Sequence, residues 1–201
     1  MTLLSYRKMN IAGSIFQLCL VCLLLIDCKG GQTGIFDSEP VIFDQVEIKG
    51  TDMGIVHKYD SLGHKLIEGT VIHGKKNGAW VNYNSDGVVL SVINYIDDKK
   101  NGFFLKLSEN KLDEVGSYKD DLRDGTFLKY LYGHLDESIE YKHGKQNGWA
   151  KKYYLSGGVE KELEMKDDVQ DGIYRFYRED GTIMVEEVYK EGKKVSGGIV
   201  K

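Results

Sequence analysis

A two-residue step, Asn-Gly or Asp-Gly, recurs at nearly constant spacing through most of the chain and limits what it can fold into. The complete steps are Asn77-Gly78, Asn101-Gly102, Asp124-Gly125, Asn147-Gly148 and Asp171-Gly172. Counted from Gly54, which belongs to a degenerate first copy, the glycines are 24, 24, 23, 23 and 24 residues apart. Units this short do not bury a core alone, so the spacing predicts a stack of similar units along one axis.

Within a unit the apolar residues alternate with period two, which indicates strands with one buried and one wet face. Ile93 and Tyr95, for example, alternate with Val92 and Asn94. Asn-Gly and Asp-Gly favour the primed turns that join antiparallel strands, so each unit is interpreted as a β-hairpin. The composition agrees, because the chain has 24 glycines and one proline, Pro40, which lies before the repeats.

The predicted fold is therefore all-β, an elongated single antiparallel sheet that follows an N-terminal apolar signal helix. We expect about six tandem hairpins, or about twelve strands, in one quasi-one-dimensional array. The units start near residues 54, 78, 102, 125, 148 and 172, within a repeat domain that covers residues 41–201. Val41 to Lys49 reads as a leading strand, and residues 29–40 read as a flexible tether.

The first 28 residues have the pattern of an export signal. Arg7 and Lys8 form a basic region before an apolar run from Ile11 to Ile26, which is short for a membrane-spanning helix. Leu25 to Cys28 resembles the end of a bacterial lipoprotein signal, after which the cysteine becomes lipidated. Cys28 is accordingly the predicted lipidation site, although Asp27 departs from the small residue that the pattern prefers. An uncleaved membrane anchor and ordinary leader cleavage are the alternatives.

The units 78–101 and 148–171 resemble MORN-type repeats, in the bacterial variant form with glycine, an aromatic residue and tyrosine at fixed offsets. The resemblance covers roughly residues 50–195 and implies the hairpin array rather than a particular activity. Proteins of this family are described as interaction modules, and some bacterial members as antitoxin-like. Eukaryotic relatives are associated with membrane-proximal scaffolding and lipid contact.

Aromatic residues fill two columns of the repeat, one five positions after the unit glycine and one near the end of the unit. Both columns have two interpretations: a recognition stripe, or cross-strand ladders that hold the sheet together. The candidate interaction or ladder aromatics are Trp80, Tyr83, Tyr95, Tyr118, Tyr130, Tyr141, Tyr153, Tyr177 and Tyr189.

No catalytic, cofactor or metal site is predicted. The first three of the five histidines are seven and nine residues apart, which is not metal-ligand spacing. The aspartate pairs Asp97-Asp98, Asp120-Asp121 and Asp167-Asp168 recur at one place in the repeat, which favours a role in turns over calcium binding. The chain is accordingly predicted not to be an enzyme and to have no small-molecule substrate.

The leading hypothesis is an exported, lipid-anchored module that binds an unidentified protein partner without catalysis. The formal net charge of −4 argues against a nucleic-acid binder. The expected location is the periplasm or cell surface of a diderm bacterium, with membrane contact through the lipid. The alternatives are an antitoxin or immunity-type protein that neutralises a toxin, and a structural protein of the envelope.

Overall fold

The computed structural model describes residues 5–7, 42–47 and 51–200 of the chain, and every strand in these ranges belongs to one antiparallel sheet. The strands are β1 (Ser5–Arg7), β2 (Ile42–Glu47), β3 (Met53–Tyr59), β4 (Lys65–Ile72), β5 (Lys75–Tyr83), β6 (Val89–Ile96), β7 (Lys99–Ser108), β8 (Lys111–Lys119), β9 (Leu122–Arg123), β10 (Gly125–Leu131), β11 (His134–Lys142), β12 (Lys145–Tyr153), β13 (Val159–Lys166), β14 (Val169–Tyr177), β15 (Ile183–Lys190) and β16 (Lys193–Ile199).

Strand order in the sheet follows chain order, so each strand pairs with its neighbours in sequence. The one deviation is β9, a two-residue strand that pairs with β8 beside β10. The predicted all-β array of hairpins is confirmed, and the leading strand is present as β2. Between residues 51 and 200 there are fourteen strands rather than about twelve, because β9 is separate from β10 and β16 adds a strand at the end.

Two-residue turns line one edge of the sheet, which we call the tight edge. Both residues of each turn have positive φ, the geometry of a type I′ turn. These turns are His73-Gly74, Asp97-Asp98, Asp120-Asp121, His143-Gly144, Asp167-Asp168 and Glu191-Gly192. The aspartate pairs therefore do lie in turns.

The Asn-Gly and Asp-Gly steps are not the hairpin turns, which corrects the prediction from sequence. Each step lies four residues after a tight turn and forms a bulge inside or at the start of a strand. Between β13 and β14, Leu163 pairs with Tyr174 and Met165 with Gln170, so Glu164 alone faces residues 171–173. The glycine is needed there, because Gly172 has a φ of 130° and a Cβ would lie 2.0 Å from Glu164 Oε2.

Successive tight turns are joined by backbone hydrogen bonds across the unit boundary. The N–H of the second turn residue donates to a carbonyl of the preceding unit, as in Asp168 to Gln146 at 3.0 Å and Gly144 to Arg123 at 2.8 Å. The same bond recurs from Asp98, Asp121 and Gly192. Each turn is thus placed by the unit before it.

The opposite edge carries the middle connection of each unit, and we call it the loop edge. Two of its connections are two-residue turns, Glu109-Asn110 and Tyr132-Gly133. The other four are loops of five residues, 60–64, 84–88, 154–158 and 178–182, each closed by backbone hydrogen bonds.

Of the predicted leader 1–28, the structure describes only the short strand β1, which pairs with β2. Cys28, the remainder of the signal helix and the tether 29–40 lie outside the described residues. In the ranges that are described, no helix is long and apolar enough to cross a membrane.

Candidate interaction faces of the sheet

The described sheet is one layer thick, so its two faces are the candidate interaction surfaces. Residues directly opposite each other on neighbouring antiparallel strands point to the same face, which allows the pairing register to assign faces. We call the face that carries Trp80, Phe104 and Phe127 the aromatic face. The other face carries a row of residues that changes from apolar to charged along the array, and we call it the graded face.

The aromatic face contains the apolar residues with the least exposure. These are Val71, Trp80, Phe104, Phe127 and Ala150, and Phe127 is only 2% exposed. Small residues on the adjacent strand make room for the large rings. A Cβ on Gly116 would lie 2.6 Å from the Phe127 ring, so the ring covers the backbone of β8. This packing across strands replaces the second layer that a single sheet lacks.

The end-of-unit tyrosines belong to this face and stack edge-on against the large rings. Ring centroids are 6.3 Å apart for Trp80 and Tyr95, and 5.5 Å apart for Phe104 and Tyr118. Tyr118, Phe127 and Tyr141 continue the series at 5.5 and 5.3 Å, and Tyr189 meets Tyr174 at 6.4 Å. The column Tyr95, Tyr118, Tyr141 and Tyr189 therefore contributes to a cross-strand ladder.

Cations lie over the same rings. Lys76 Nζ is 4.5 Å from the Trp80 ring and 5.0 Å from Tyr95, and the Arg123 guanidinium is 4.5 Å from Phe127. Arg123 also donates to the Tyr141 hydroxyl at 3.0 Å. Such contacts add to the burial of the rings and shield them from water on the open side.

On the graded face, one row of directly paired residues runs across ten strands. In order, its members are Val81, Val92, Leu105, Val115, Leu128, Ser138, Lys151, Glu162, Arg175 and Glu186. The first five are aliphatic and half-buried, whereas the last four are charged. The face that the alternation predicts to be wet is therefore charged in the later units and aliphatic from Val81 to Leu128. In the first unit it is polar again, because Val81 pairs with Glu68 and Glu68 with His57.

Glu162 is the centre of the charged end and is only 8% exposed. Its carboxylate lies 3.1 Å from Lys151 Nζ and 3.3 Å from Arg175 Nη1, and it accepts a hydrogen bond from the Tyr177 hydroxyl at 2.6 Å. Burial alone favours the neutral acid, but the hydrogen bonds from Tyr177 and Lys151 outweigh it and hold the pKa of Glu162 below its usual value.

The early-column tyrosines lie on the graded face, two residues after members of the row. Tyr83, Tyr130, Tyr153 and Tyr177 follow Val81, Leu128, Lys151 and Arg175 respectively, and all four are half-buried. The structure thus places the two predicted columns on opposite faces and near opposite edges. They do not form one recognition stripe.

A shallow depression on the loop edge contains apolar residues that the sequence analysis did not single out. Its lining includes Leu131, Tyr132, Leu135, Tyr153, Tyr154 and Leu155. Tyr132 is 80% exposed, Leu155 71% and Leu131 47%. The sequence feature that could have indicated this depression is composition rather than periodicity. The turn Tyr132-Gly133 and the loop 154–158 carry no charged side chain.

The other titratable groups are spread along the sheet. In residues 51–200, His57, His64 and His73 lie near three different carboxylates, those of Glu68, Asp60 and Asp52. Within the described part of the chain, no three His, Cys, Asp or Glu side chains form a group that could hold a metal ion.

Comparison of the chain with models of known protein families gives no match, and a search of curated proteins finds no significantly similar sequence.

Proposed function

We propose that this protein is an exported, lipid-anchored repeat protein that binds another protein without catalysis. One observation supports the binding role above all: the sheet is a single layer, and apolar rows on both of its faces remain partly open to water. An apolar surface of this extent is stabilised when another molecule covers it, and a partner protein would do so. The sequence resemblance to bacterial MORN-type repeats supports the same role.

The row Val81, Val92, Leu105, Val115 and Leu128 is the best candidate for the contact area on the faces. It crosses five adjacent strands in one register, so it forms a continuous aliphatic stripe rather than isolated exposed residues. At the charged end, by contrast, Lys151, Glu162, Arg175 and Glu186 satisfy one another by ion pairs. A partner gains more by covering the aliphatic stripe, because no ion pairs must be broken.

The anchor is tested by replacing Cys28 with alanine in the full chain and fractionating the cells. The expected result is loss of the processed form and release of the protein from the membrane fraction. Unchanged processing and unchanged membrane association would remove the anchor from the proposal.

The binding role is tested in the native cells with a photo-crosslinking amino acid at Val92 of the full chain. The expected result is a crosslinked adduct to one protein, which is absent when the crosslinker replaces Lys151 in the charged end. Adducts of equal yield at both positions, or none at Val92, would contradict the assignment of the contact area to the stripe.

A further inference from the structure

The depression on the loop edge combines exposed apolar residues with backbone strain. Tyr132 is the first residue of a two-residue turn and has a φ of 53°, in the left-handed region that bulky side chains disfavour. In the turns of the tight edge, the same position holds aspartate, histidine or glutamate. Strain of this kind at an exposed position points to a role other than folding, because asparagine or glycine would suit the turn better.

The neighbouring loop contributes the second side of the depression. Leu155 lies in the loop 154–158 and is 71% exposed. Tyr154, beside it, is held by a hydrogen bond of 2.6 Å from its hydroxyl to the carbonyl of Tyr177. The depression therefore has one fixed wall and two projecting apolar side chains, Tyr132 and Leu155.

Two carboxylates near the depression form no salt bridge with the described residues, whereas Arg178, in the same loop as one of them, donates to the Thr182 hydroxyl at 3.2 Å. Lys152, which lines it, is already paired with Asp136 at 3.5 Å. Glu160, also in the lining, and Glu179, in the next loop, form no salt bridge with any residue that the structure describes. Glu160 lies in the lining, and the Glu179 carbonyl lies 3.9 Å from the place that a Cβ on Gly158 would take, so the loop 178–182 borders the loop 154–158. Burial raises the pKa of the Tyr154 hydroxyl, and the charges of both carboxylates add to this effect.

We propose that this depression is a docking site for a protein segment that presents an apolar side chain next to lysine or arginine. The apolar side chain would pack between Tyr132 and Leu155, and the basic group would pair with Glu160 and Glu179. Charge complementarity selects this occupant over an anionic lipid surface, which the two carboxylates would repel. The inference rests on the proposed function, because it names a second point at which a protein partner is held.

The first step of the test places a photo-crosslinking amino acid at Tyr132 of the full chain in its native cells. The matched control position is Leu62, an exposed leucine in the equivalent loop of the first unit, which is 81% exposed. The expected result is a protein adduct at position 132 that is absent at position 62. Equal adducts at both positions, an adduct only to lipid, or an adduct only to a second copy of this chain would each overturn the proposal.

The second step measures binding of the purified captured protein to variants of the full chain. Tyr132→Asn and Leu155→Ser should each weaken binding at least tenfold, and Leu62→Ser less than twofold. The double change Glu160→Lys and Glu179→Lys should weaken binding at least tenfold and reverse its salt dependence, because salt would then screen a repulsion. Binding by Tyr132→Asn within twofold of the unchanged chain would overturn the proposal.

Thermal unfolding separates lost binding from lost folding. Asparagine tolerates the left-handed turn position better than tyrosine, so Tyr132→Asn should raise the unfolding midpoint while it weakens binding. The crosslinker at Val92 separates this inference from the proposed function. A protein adduct at Val92 without one at position 132 would overturn only the docking site, whereas silence at both positions would contradict both proposals.

Discussion

Five of the six boundaries at the tight turns are of two kinds, which differ in the side that supplies a carboxylate; the first, from Met53-Gly54 to His73-Gly74, is of neither kind. In the first kind, which we call amide junctions, asparagine precedes the bulge glycine and the next tight turn is Asp-Asp. In the second kind, carboxylate junctions, aspartate precedes the glycine and the turn ends in glycine. The amide junctions join Asn77 to Asp97-Asp98, Asn101 to Asp120-Asp121 and Asn147 to Asp167-Asp168. The carboxylate junctions join Asp124 to His143-Gly144 and Asp171 to Glu191-Gly192.

In an amide junction the turn supplies the acceptor. Asp168 Oδ1 accepts the backbone N–H of Gln146 at 2.8 Å, and Asn147 Nδ2 lies 3.3 Å from Asp167 Oδ1. Asp98 and Asp121 accept the N–H groups of Lys76 and Lys100 in the same way.

In a carboxylate junction the bulge supplies the acceptor. Asp124 Oδ2 accepts the N–H of His143 at 3.2 Å, and Asp171 Oδ2 accepts that of Glu191 at 3.1 Å. The turn glycine then packs over an apolar residue of the preceding unit, Leu122 below Gly144 and Val169 below Gly192. Each of these two boundaries therefore has aspartate in the bulge and none in the turn, which keeps two aspartates from facing each other. At the second boundary the first turn residue is also an acid, Glu191, and there Asp171 is paired with Lys190 Nζ at 3.4 Å.

The largest expected effect comes from removing the turn acceptor of an amide junction. Asp168→Ala loses the hydrogen bond from Gln146 and places alanine at a φ of 69°. We expect the free energy of unfolding to fall by about 2 kcal/mol, measured by urea denaturation. Asp168→Asn is the matched control, because it keeps an acceptor oxygen and tolerates the conformation. Equal losses in the two variants would mean that the acceptor contributes little.

A double-mutant cycle asks whether a carboxylate junction converts into an amide junction. His143→Asp alone should destabilise the fold by about 1.5 kcal/mol, because its carboxylate would take the place that Asp167 takes beside Asn147 and would therefore lie beside Asp124. Adding Asp124→Asn should restore about 1 kcal/mol, since only one carboxylate remains. Additive effects of the two changes would show that the absence of a second aspartate from the junction has no energetic basis. Asp136→Asn, away from the boundary, is the control partner for the cycle.

A smaller effect is expected when an amide junction receives a second carboxylate. Asn147→Asp replaces the donor 3.3 Å from Asp167 by a like charge, and both groups are partly solvated, so the expected loss is about 1 kcal/mol at neutral pH. The loss should vanish when the pH falls below the usual carboxyl pKa, because one of the acids is then neutral. Urea denaturation at both pH values measures it. A loss of stability that persists in acid would show that the effect comes from the changed packing of the side chain and not from its charge.

The smallest expected effect is the acid response of a carboxylate junction. The hydrogen bond from the Glu191 N–H, followed by the charge of Lys190, lowers the pKa of Asp171. Because this pKa is lowered by folding, the stabilisation is present above the usual aspartate pKa of about 3.9 and is lost as the pH falls through the lowered value. NMR titration of the Glu191 amide should show a midpoint below that value. The midpoint should be absent in Asp171→Asn, and its persistence there would assign it to another group.

The repeat and its strands are predictable from sequence, because period-two alternation and even spacing are local signals. The position of the hairpin turn was not predictable from Asn-Gly, since a type I′ turn and a bulge both accommodate glycine at positive φ. What decides between them is a partner about 20 residues away, such as Asp97 for Asn77. Sequence reading of a single unit does not include that partner.

The face of the sheet on which each tyrosine column lies was also not predictable from the sequence of a single unit. A register shift occurs between Asn82 and Tyr83, so Leu90 in β6 has no partner and the alternation in β6 changes phase. Tyr83 lies two residues after Val81, whereas Tyr95 lies three residues after Val92, the partner of Val81, so the two tyrosines lie on opposite faces. The exposed pair Tyr132 and Leu155 was missed for a different reason, because it follows no period and departs from the repeat.

Because strand order equals chain order, a force applied to the two ends of residues 51–200 would act across the strands rather than along them. The hydrogen bonds between two neighbouring strands would then break one after another and not all at once. Each unit would release roughly 70 Å of chain, the extended length of about 24 residues less the width of two strands. The array would thus lengthen at low force in even steps and re-form unit by unit when the force is removed.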